Sequence, residues 1–354
     1  MSLTGRDGWP GGFRAGLAKG RRQNIPKGAK GTAVAAPVVV FGEALVDVYS
    51  RGFEQQQDGR RTFRFEGVMG GAPTNVAVHL AHGGQPVSLV AGFADDPLGA
   101  DLRRFLAEWG IDLRYSVVHE RSSTPLAMVA LGPAGERTFR LYLRGTAAEQ
   151  MSPGDLHPDV GRDAEWFHFG SVLLSFPRTQ AVTEELLRRC GQAGAIVSYD
   201  INVRADVWAG GAADPRAMLD VLPQVDVLKI SDEDMALLAS LGVAELEHPK
   251  ALFRYGCRLI AYTQGPAGAA ILTPTAAVAI PAPQVDVVDT TGAGDAFMAG
   301  LITALRAHGL RRRADWPAEI SPVVLQVVGE AASRTAASVL THHGALPRRP
   351  QRLV

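Results

Sequence analysis

The chain has 354 residues, of which 46% are hydrophobic, enough for one large α/β domain or two smaller ones with a substantial core. Its 36 basic residues balance 36 acidic ones, so the overall charge does not indicate nucleic acid or an anionic membrane as a partner. Cys190 and Cys257 lie in no metal-ligand or C-x-x-C pattern, which favours a reducing cytoplasm over a disulfide framework. No apolar run reaches about 18 residues, so no membrane span is expected.

Residues 1–35 differ from the rest of the chain because they are rich in Gly, Arg and Lys. No apolar segment follows the basic residues, so they do not form a secretory signal. A basic targeting or anion-binding arm is one interpretation. We favour a disordered N-terminal extension that precedes one folded domain over residues 36–350.

Apolar runs and helical stretches alternate along that domain. Strands are predicted at 38–41, 87–91, 166–169, 195–199, 225–230 and 259–263. Helices are predicted at 75–83, 101–109, 179–190 and 232–241. This alternation predicts an α/β fold with a doubly wound, mostly parallel sheet flanked by helices. Two stretches, 62–66 and 126–143, break the alternation and resemble hairpins, the second turning at 133–135.

A Gly-Ala-Gly-Asp run follows the apolar pair Val287–Val288 and opens a predicted helix. Gly292, Ala293 and Gly294 let a ligand approach the backbone closely, because little or no side chain stands in the way. Their N–H groups would lie at a helix N-terminus, where unpaired donors and the helix dipole attract a phosphate. Asp295 could remove the proton from an attacking hydroxyl, so the segment suits phosphoryl transfer.

Other interpretations of this segment stay open on these residues alone. Asp is common in the first turn of a helix for dipole reasons, so the run could be a structural cap. A G-x-G before a helix also occurs in dinucleotide-binding folds. Phe297 occupies the place of the third glycine of that motif, which disfavours a dehydrogenase.

A family resemblance adds to this interpretation. Residues 289–297, Asp-Thr-Thr-Gly-Ala-Gly-Asp-Ala-Phe, resemble the C-terminal signature of the ribokinase-like (PfkB) carbohydrate kinases. Residues 70–77 resemble the N-terminal signature of the same family, Gly-Gly-x-x-x-Asn-x-Ala. Further matches follow in the family's order at 42–47, 200–204, 229–234 and 263–268. The resemblance covers roughly residues 38–350 and implies a small β-sheet lid, with strands from about 49–67 and 122–145.

The resemblance implies a sugar site and a catalytic group. Asp295 would be the base, and residues 292–294 would stabilise the charge on the transferred phosphate. The implied sugar-binding residues are Asp47, Gly70, Gly71, Asn75, Tyr142, Arg144 and Arg204. The last three most resemble the fructokinase and 2-keto-3-deoxygluconate kinase branches, and two arginines facing the sugar would suit either substrate.

The resemblance also implies ATP and metal sites. The implied nucleotide-binding residues are Asn202, Lys229, Ser231, Thr263, Gly265 and Gly268. Ser231 and Asp234 stand where the family has Asn and Glu in a region linked to magnesium, a departure that is compatible with water-mediated Mg²⁺. Asp289 and Thr291 resemble a monovalent-cation loop seen in some members, which would bind K⁺.

The expected function is therefore that of a cytoplasmic ATP-dependent sugar kinase, with fructose as the expected acceptor. The alternatives are a 2-keto-3-deoxygluconate kinase, which substrate competition would distinguish, and a catalytically silent sugar- or nucleotide-binding regulator. The intact run at 292–295 disfavours the regulator. Because exposed strand edges invite pairing, a homodimer through the lid is also expected.

Overall fold

The computed structural model describes residues 38–131, 137–210 and 213–348. The predicted N-terminal extension and the predicted turn at 133–135 lie outside these residues.

The core of the fold is an eight-stranded sheet in the order β14-β13-β12-β11-β10-β9-β1-β4. Six of its strands are parallel: β1 (Val38–Phe41), β4 (Val87–Val90), β9 (Trp166–Gly170), β10 (Ile196–Asp200), β11 (Val227–Ser231) and β12 (Leu259–Thr263). Two antiparallel strands complete it, β13 (Ala269–Leu272) and β14 (Ala277–Ile280). Every residue of β1 is buried, because helices cover both faces of a parallel sheet.

Helices cover both faces of this sheet. They are α1 (Ala72–His82), α2 (Pro97–Glu108), α3 (Ala147–Gln150), α4 (Pro177–Gln192), α5 (Ala205–Ala209), α6 (Ala217–Asp220), α7 (Asp232–Ser240), α8 (Ala293–Ala307) and α9 (Pro322–Leu340). On one face α1 packs on β1 and β4, α9 packs on β13 and β14, and α8 lies between α1 and α9. On the other face α4 packs on β9 and β10, and α7 packs on β11. The predicted doubly wound α/β fold is confirmed.

A second sheet of four strands stands at one edge of this body, in the order β3-β2-β7-β8. Its strands are β2 (Leu45–Gln55), β3 (Arg61–Gly70), β7 (Leu126–Leu131) and β8 (Arg137–Tyr142). The short pair β5 (Gly92–Ala94) and β6 (Val117–His119) forms a third sheet. The strands of this sheet overlap the ranges 49–67 and 122–145 that were expected for a lid, and the role of the sheet as a lid stays a prediction.

Among the described residues, one helix, α9, is long and apolar enough to cross a membrane by length and composition. This helix packs along α8 and against β13 and β14, as a helix of the core does. Its apolar residues are therefore explained by packing within the domain.

Candidate active site

The candidate site lies at the carboxyl ends of β1, β10 and β11, where the N-termini of α1 and α8 also meet. This edge is where ligands bind in open α/β sheets. A small cavity marks it, with a volume of about 10 Å³, the room of about one water molecule. Its polar lining consists of Glu43, His168, Ser171, Asp200, Asn202 and Asp295.

The two family signatures meet in one hydrogen bond. Asn75 Nδ2, in the first turn of α1, donates to Asp295 Oδ2, in the first turn of α8, at 2.8 Å. Both side chains are buried. Asn75 Oδ1 is also buried and finds no donor among the described residues, so this oxygen is open to a ligand hydroxyl. Burial raises the pKa of Asp295, although Asn75, Lys229 and Arg204 each act to lower it.

Two more buried carboxylates lie near Asp295. Burial raises the pKa of Glu43 to about 7. Burial, reinforced by the charge of Asp295, raises the pKa of Asp47 to about 7. The guanidinium of Arg204 opposes the rise at both groups, so Arg204 lies within electrostatic reach of the whole cluster. The site therefore concentrates proton acceptors in a dry environment, as a general-base reaction requires.

Glycine is required next to these carboxylates. A Cβ atom at Gly70 would lie 2.6 Å from Asp47 Cγ. Gly71 has a φ of +106°, and a Cβ atom there would lie 3.1 Å from the carbonyl carbon of Glu43. The Gly-Gly pair thus lets the start of α1 pack directly on the segment that carries Glu43 and Asp47.

A buried ion pair lies beneath the start of α8. Lys229 Nζ lies 3.0 Å from both carboxylate oxygens of Asp200, and both side chains are at most 5% exposed. Burial raises the pKa of Asp200 to about 6, against the opposing charge of Lys229. A Cβ atom at Gly294 would lie 3.1 Å from Lys229 Nζ. The ammonium group therefore lies against the glycine turn, where a phosphate would gain a cation as well as backbone donors.

The loop after α9 packs against the glycine turn at 292–294. Gly292 is the N-cap of α8, with a left-handed φ of +76°. A Cβ atom there would lie 2.5 Å from Ala345 Cα. Asp289 Oδ1 accepts the N–H of Thr291 at 2.7 Å, and Asp289 Oδ2 accepts the N–H of Gly344 at 2.9 Å. These contacts fix the turn from which the backbone donors point.

The comparisons with known proteins agree with this geometry. The model of the pfkB family of carbohydrate kinases matches residues 35–352. The chain belongs to this family. The predicted sugar phosphotransferase class is thereby confirmed.

Curated relatives of this pfkB kinase include a fructokinase of Klebsiella pneumoniae, 34% identical over 77% of this chain and 85% of the relative. A fructokinase of Escherichia coli is 31% identical over 78% of this chain and 87% of the relative. Among solved structures, a fructokinase with bound ATP from Xylella fastidiosa is 30% identical, with a TM-score of 0.76. That alignment covers 88% of this chain and 94% of the fructokinase.

The expected nucleotide side of the pfkB kinase lies along the neighbouring strand ends. Asn202 follows β10 with a φ of +34°, in the left-handed region that a side chain seldom adopts. Asp234 supports this conformation because its Oδ1 accepts the N–H of Val203 at 2.7 Å. Asp234 Oδ2 accepts from both the N–H and the hydroxyl of Ser231. Both oxygens of Asp234 thus have local donors, so this residue does not fit as a direct Mg²⁺ ligand.

The predicted nucleotide turn after β12 lies beside Ser231, because Thr263 is paired with it in the sheet register. Gly265 and Gly268 both have positive φ, and the Gln264 N–H donates to the Gly268 carbonyl at 2.8 Å. A Cβ atom at Gly268 would lie 3.0 Å from the backbone nitrogen of Ala282. The backbone conformation at both positions and the close packing at Gly268 therefore account for these glycines without a nucleotide.

Two predicted sugar-binding residues lie apart from the carboxylates. The guanidinium of Arg144 donates to the carbonyl of Gly210. The side chain of Tyr142 is 55% exposed on β8. Within the described ranges, neither side chain forms a hydrogen bond with the carboxylate cluster around Asp295. Their sugar-binding roles stay predictions.

Sequence reasoning assigned no role to two buried polar residues of this region. Glu43 was part of a matched motif in which only Asp47 received a role. His79, which has no metal-ligand spacing, was interpreted as a surface or packing residue. It is buried, with Nε2 2.8 Å from the carbonyl of Ala345, and burial lowers its pKa to about 4. A neutral His79 donates this hydrogen bond and ties α1 to the loop behind Gly292.

Proposed function

We propose that this kinase phosphorylates fructose with ATP, using Asp295 as the base. The observation that carries the proposal is the hydrogen bond between Asn75 and Asp295. Asp295 directly follows the glycine turn at 292–294, and Lys229 lies beside Gly294. This arrangement places a proton acceptor and an anion-binding turn within one helical turn of each other. The relatives named fructokinase at 31–34% identity support fructose as the acceptor.

The proposed mechanism is in-line transfer. A terminal hydroxyl of the sugar loses its proton to the Asp295 carboxylate, and its oxygen forms a bond to the γ-phosphorus of ATP. The bond from the γ-phosphorus to the bridging oxygen breaks, and ADP leaves. The raised pKa of Asp295 improves its fit to this task, because a base is most effective when its pKa approaches the working pH.

The charge that develops on the transferred group would be stabilised by two kinds of donor. The N–H groups of Gly292 and Gly294 lie at the start of α8, and Lys229 Nζ lies against Gly294. The N–H of Ala293 donates to the carbonyl of Thr290 at 3.3 Å, so it would have to exchange that bond for a phosphate oxygen. The geometry of the turn is fixed before ATP arrives, since Ala345 fills the space behind Gly292. On the sugar side, Asp47 and the open Oδ1 of Asn75 would accept hydroxyl hydrogens.

We infer that Mg²⁺ enters with ATP as a partner of its phosphates. Asp234 does not fit as a direct ligand, and Mg²⁺ usually keeps several waters in nucleotide sites. For K⁺, we propose the loop at Asp289 and Thr291. Both carboxylate oxygens of Asp289 accept backbone N–H groups, so the proposed ligands are backbone carbonyls of the loop that Asp289 shapes. The test for K⁺ is ATP turnover in KCl against tetramethylammonium chloride at equal ionic strength.

The charge balance of the site favours a neutral sugar over 2-keto-3-deoxygluconate. Three buried carboxylates, Glu43, Asp47 and Asp295, interact electrostatically with the guanidinium of Arg204. An anionic substrate would add another negative charge to this cluster, at a cost that grows as the surroundings lose water. A silent regulator would have no use for a base in this position.

The test is ATP consumption by the purified protein with fructose, ribose, 2-keto-3-deoxygluconate, adenosine and no sugar. We expect fast turnover with fructose, and a loss of about 10²–10⁴-fold in kcat for Asp295→Asn at unchanged thermal stability. Asp101→Asn, on the exposed face of α2, is the matched control and should turn over normally. Preference for the keto acid, or wild-type rates in Asp295→Asn, would overturn the proposal.

We also propose a homodimer formed through the four-stranded sheet. Phe53, Phe63 and Phe65 are each more than half exposed on one face of this sheet, and their rings stack edge to face or in parallel. An exposed aromatic patch of this kind on an open edge strand favours association with a second copy. Sedimentation velocity should give a dimer for the wild type and a monomer for Phe63→Glu. A monomeric wild type at micromolar concentration would contradict this assembly.

We propose a reducing cytoplasm as the working compartment. Cys190 and Cys257 are both buried free thiols. Burial raises the pKa of each thiol to about 12, so neither is a reactive thiolate at neutral pH. Fractionation of the native host cells, with this protein detected by antibody, tests the assignment.

A further inference from the structure

Glu43 is a buried carboxylate that the proposed reaction does not use. It lies two residues after β1 and is 3% exposed. Its Oε1 accepts the N–H of Ala72 at 3.2 Å, and its backbone carbonyl accepts the hydroxyl of Thr74 at 2.6 Å. Both contacts reach the first turn of α1, so side chain and backbone of one residue hold the start of that helix.

The turn held by Glu43 is the turn that carries Asn75. Gly71, the N-cap of α1, packs so closely on Glu43 that a Cβ atom would lie 3.1 Å from its carbonyl carbon. Asn75, one turn further along, donates to Asp295 at 2.8 Å. If the Glu43 contacts shifted, the first turn of α1 would shift with them. Asn75 would then move relative to Asp295 at the start of α8.

Glu43 also faces Asp295 electrostatically. Both residues line the same 10 Å³ cavity. Burial, opposed by the backbone hydrogen bond from Ala72, raises the pKa of Glu43 to about 7. Arg204 acts to lower this pKa and the charge of Asp295 acts to raise it. Burial and the charge of Lys229 lower the pKa of His168 to about 3, so that ring is neutral. The charged and titratable groups around Glu43 are thus Arg204, Asp200, Asp295 and the neutral His168.

We propose that Glu43 is a positioning residue for the phosphoryl transfer: it holds the first turn of α1 so that Asn75 aligns Asp295, and it places a second carboxylate in the cavity of that base. The proposal rests on the function proposed above. It assigns a role to the acidic residue of the Gly42–Glu43 pair, and it makes the rate depend on Glu43 without any contact between Glu43 and the substrate.

The kinetic test compares Glu43→Gln and Glu43→Ala with the wild type between pH 5.5 and 9. Glutamine keeps an oxygen for the Ala72 N–H but carries no charge. We expect kcat to fall about tenfold in Glu43→Gln with the KM for fructose and for ATP nearly unchanged, because general-base catalysis depends on the basicity and alignment of Asp295. In the wild type kcat/KM should rise through about pH 7, where both Glu43 and Asp47 titrate, and in Glu43→Gln this rise should become shallower. Glu43→Ala should lose more.

Thr74→Val is the matched structural control. It removes the other hydrogen bond between the same two segments but leaves the carboxylate in place. We expect a lower unfolding temperature with the wild-type pH profile. If Thr74→Val and Glu43→Gln lose activity equally and keep the same pH profile, Glu43 is only structural and the proposal is wrong. A wild-type kcat and pH profile in Glu43→Gln would also overturn it.

A second measurement needs no substrate, so it separates this proposal from the proposed function. A double-mutant cycle with Glu43→Gln and Asp295→Asn, followed by chemical unfolding, measures the coupling of the two carboxylates. We expect a coupling at pH 8, where both groups are ionised and repel, that disappears at pH 5. Zero coupling at both pH values overturns the proposal even if the protein phosphorylates fructose. If no sugar is phosphorylated, the fructokinase assignment fails while the coupling is still measured.

Discussion

Replacing Gly292 by alanine should displace the glycine turn at 292–294 from its position relative to the rest of the site. The left-handed φ of +76° costs an alanine about 1–2 kcal/mol. Its Cβ would lie 2.5 Å from Ala345 Cα, about 0.9 Å inside the 3.4 Å at which ordinary contacts begin. Overpacking of this kind costs about 1–3 kcal/mol. The turn or the loop behind it must therefore shift by nearly the full overlap.

A misplacement of about 1 Å in a site of this kind costs about 100-fold in rate, so we expect kcat of Gly292→Ala to fall by about that factor. The assay is steady-state ATP turnover with saturating fructose, together with urea unfolding. Gly110→Ala is the control, because Gly110 has the same φ of +76° with nothing within 4 Å of its Cβ position. The control should lose a little stability and no activity. A kcat within about threefold of wild type in folded Gly292→Ala would refute the argument.

Three further predictions test the neighbouring groups. Gly70→Ala would push the Asp47 carboxylate aside. The KM for fructose should therefore rise by about tenfold while the KM for ATP stays the same. Equal changes in the two KM values would contradict this prediction. Lys229→Met leaves Asp200 buried without its partner, so urea unfolding should show that the free energy of unfolding falls by about 3–5 kcal/mol. The double variant Lys229→Met/Asp200→Asn should recover part of this loss, because it also removes the buried charge. A carboxyl whose folded pKa is raised contributes stability that is present below its ordinary pKa and lost as the pH rises through the folded one. For Asp47 that window ends at about pH 7, so the ligand-free unfolding temperature should fall between pH 5 and pH 8, and less so in Asp47→Asn.

The sequence predicted the parallel part of the fold because each buried strand is a short apolar run that ends in a turn. Strands β13 and β14 were not predicted. They are short and rich in alanine, and they form only because β12 offers an edge to pair with. Local composition does not contain that information, since β-propensity depends strongly on tertiary context.

The site was predictable where backbone geometry requires glycine or where a first helical turn holds a polar residue, as at Gly71, Gly292 and Asp295. Glu43 was not predictable in this way, because its role comes from packing against Gly71, a residue distant in sequence. The Arg144 contact with Gly210 has a similar cause. Side chains on the four-stranded sheet choose partners from other elements, and no pattern along β8 records which ones.

Two long-range contacts at α1 have a consequence for how the chain folds. Asn75 and Asp295 are 220 residues apart, and His79 and Ala345 are 266 residues apart. Contacts of such sequence separation form late, after the local elements. A ribosome-bound chain that stops before α8 has Asp47 and the sugar-side glycines but neither the base nor the phosphate turn. The capacity to transfer phosphate therefore appears only when synthesis is nearly complete, and pulsed hydrogen exchange should show the start of α1 among the last segments to gain protection.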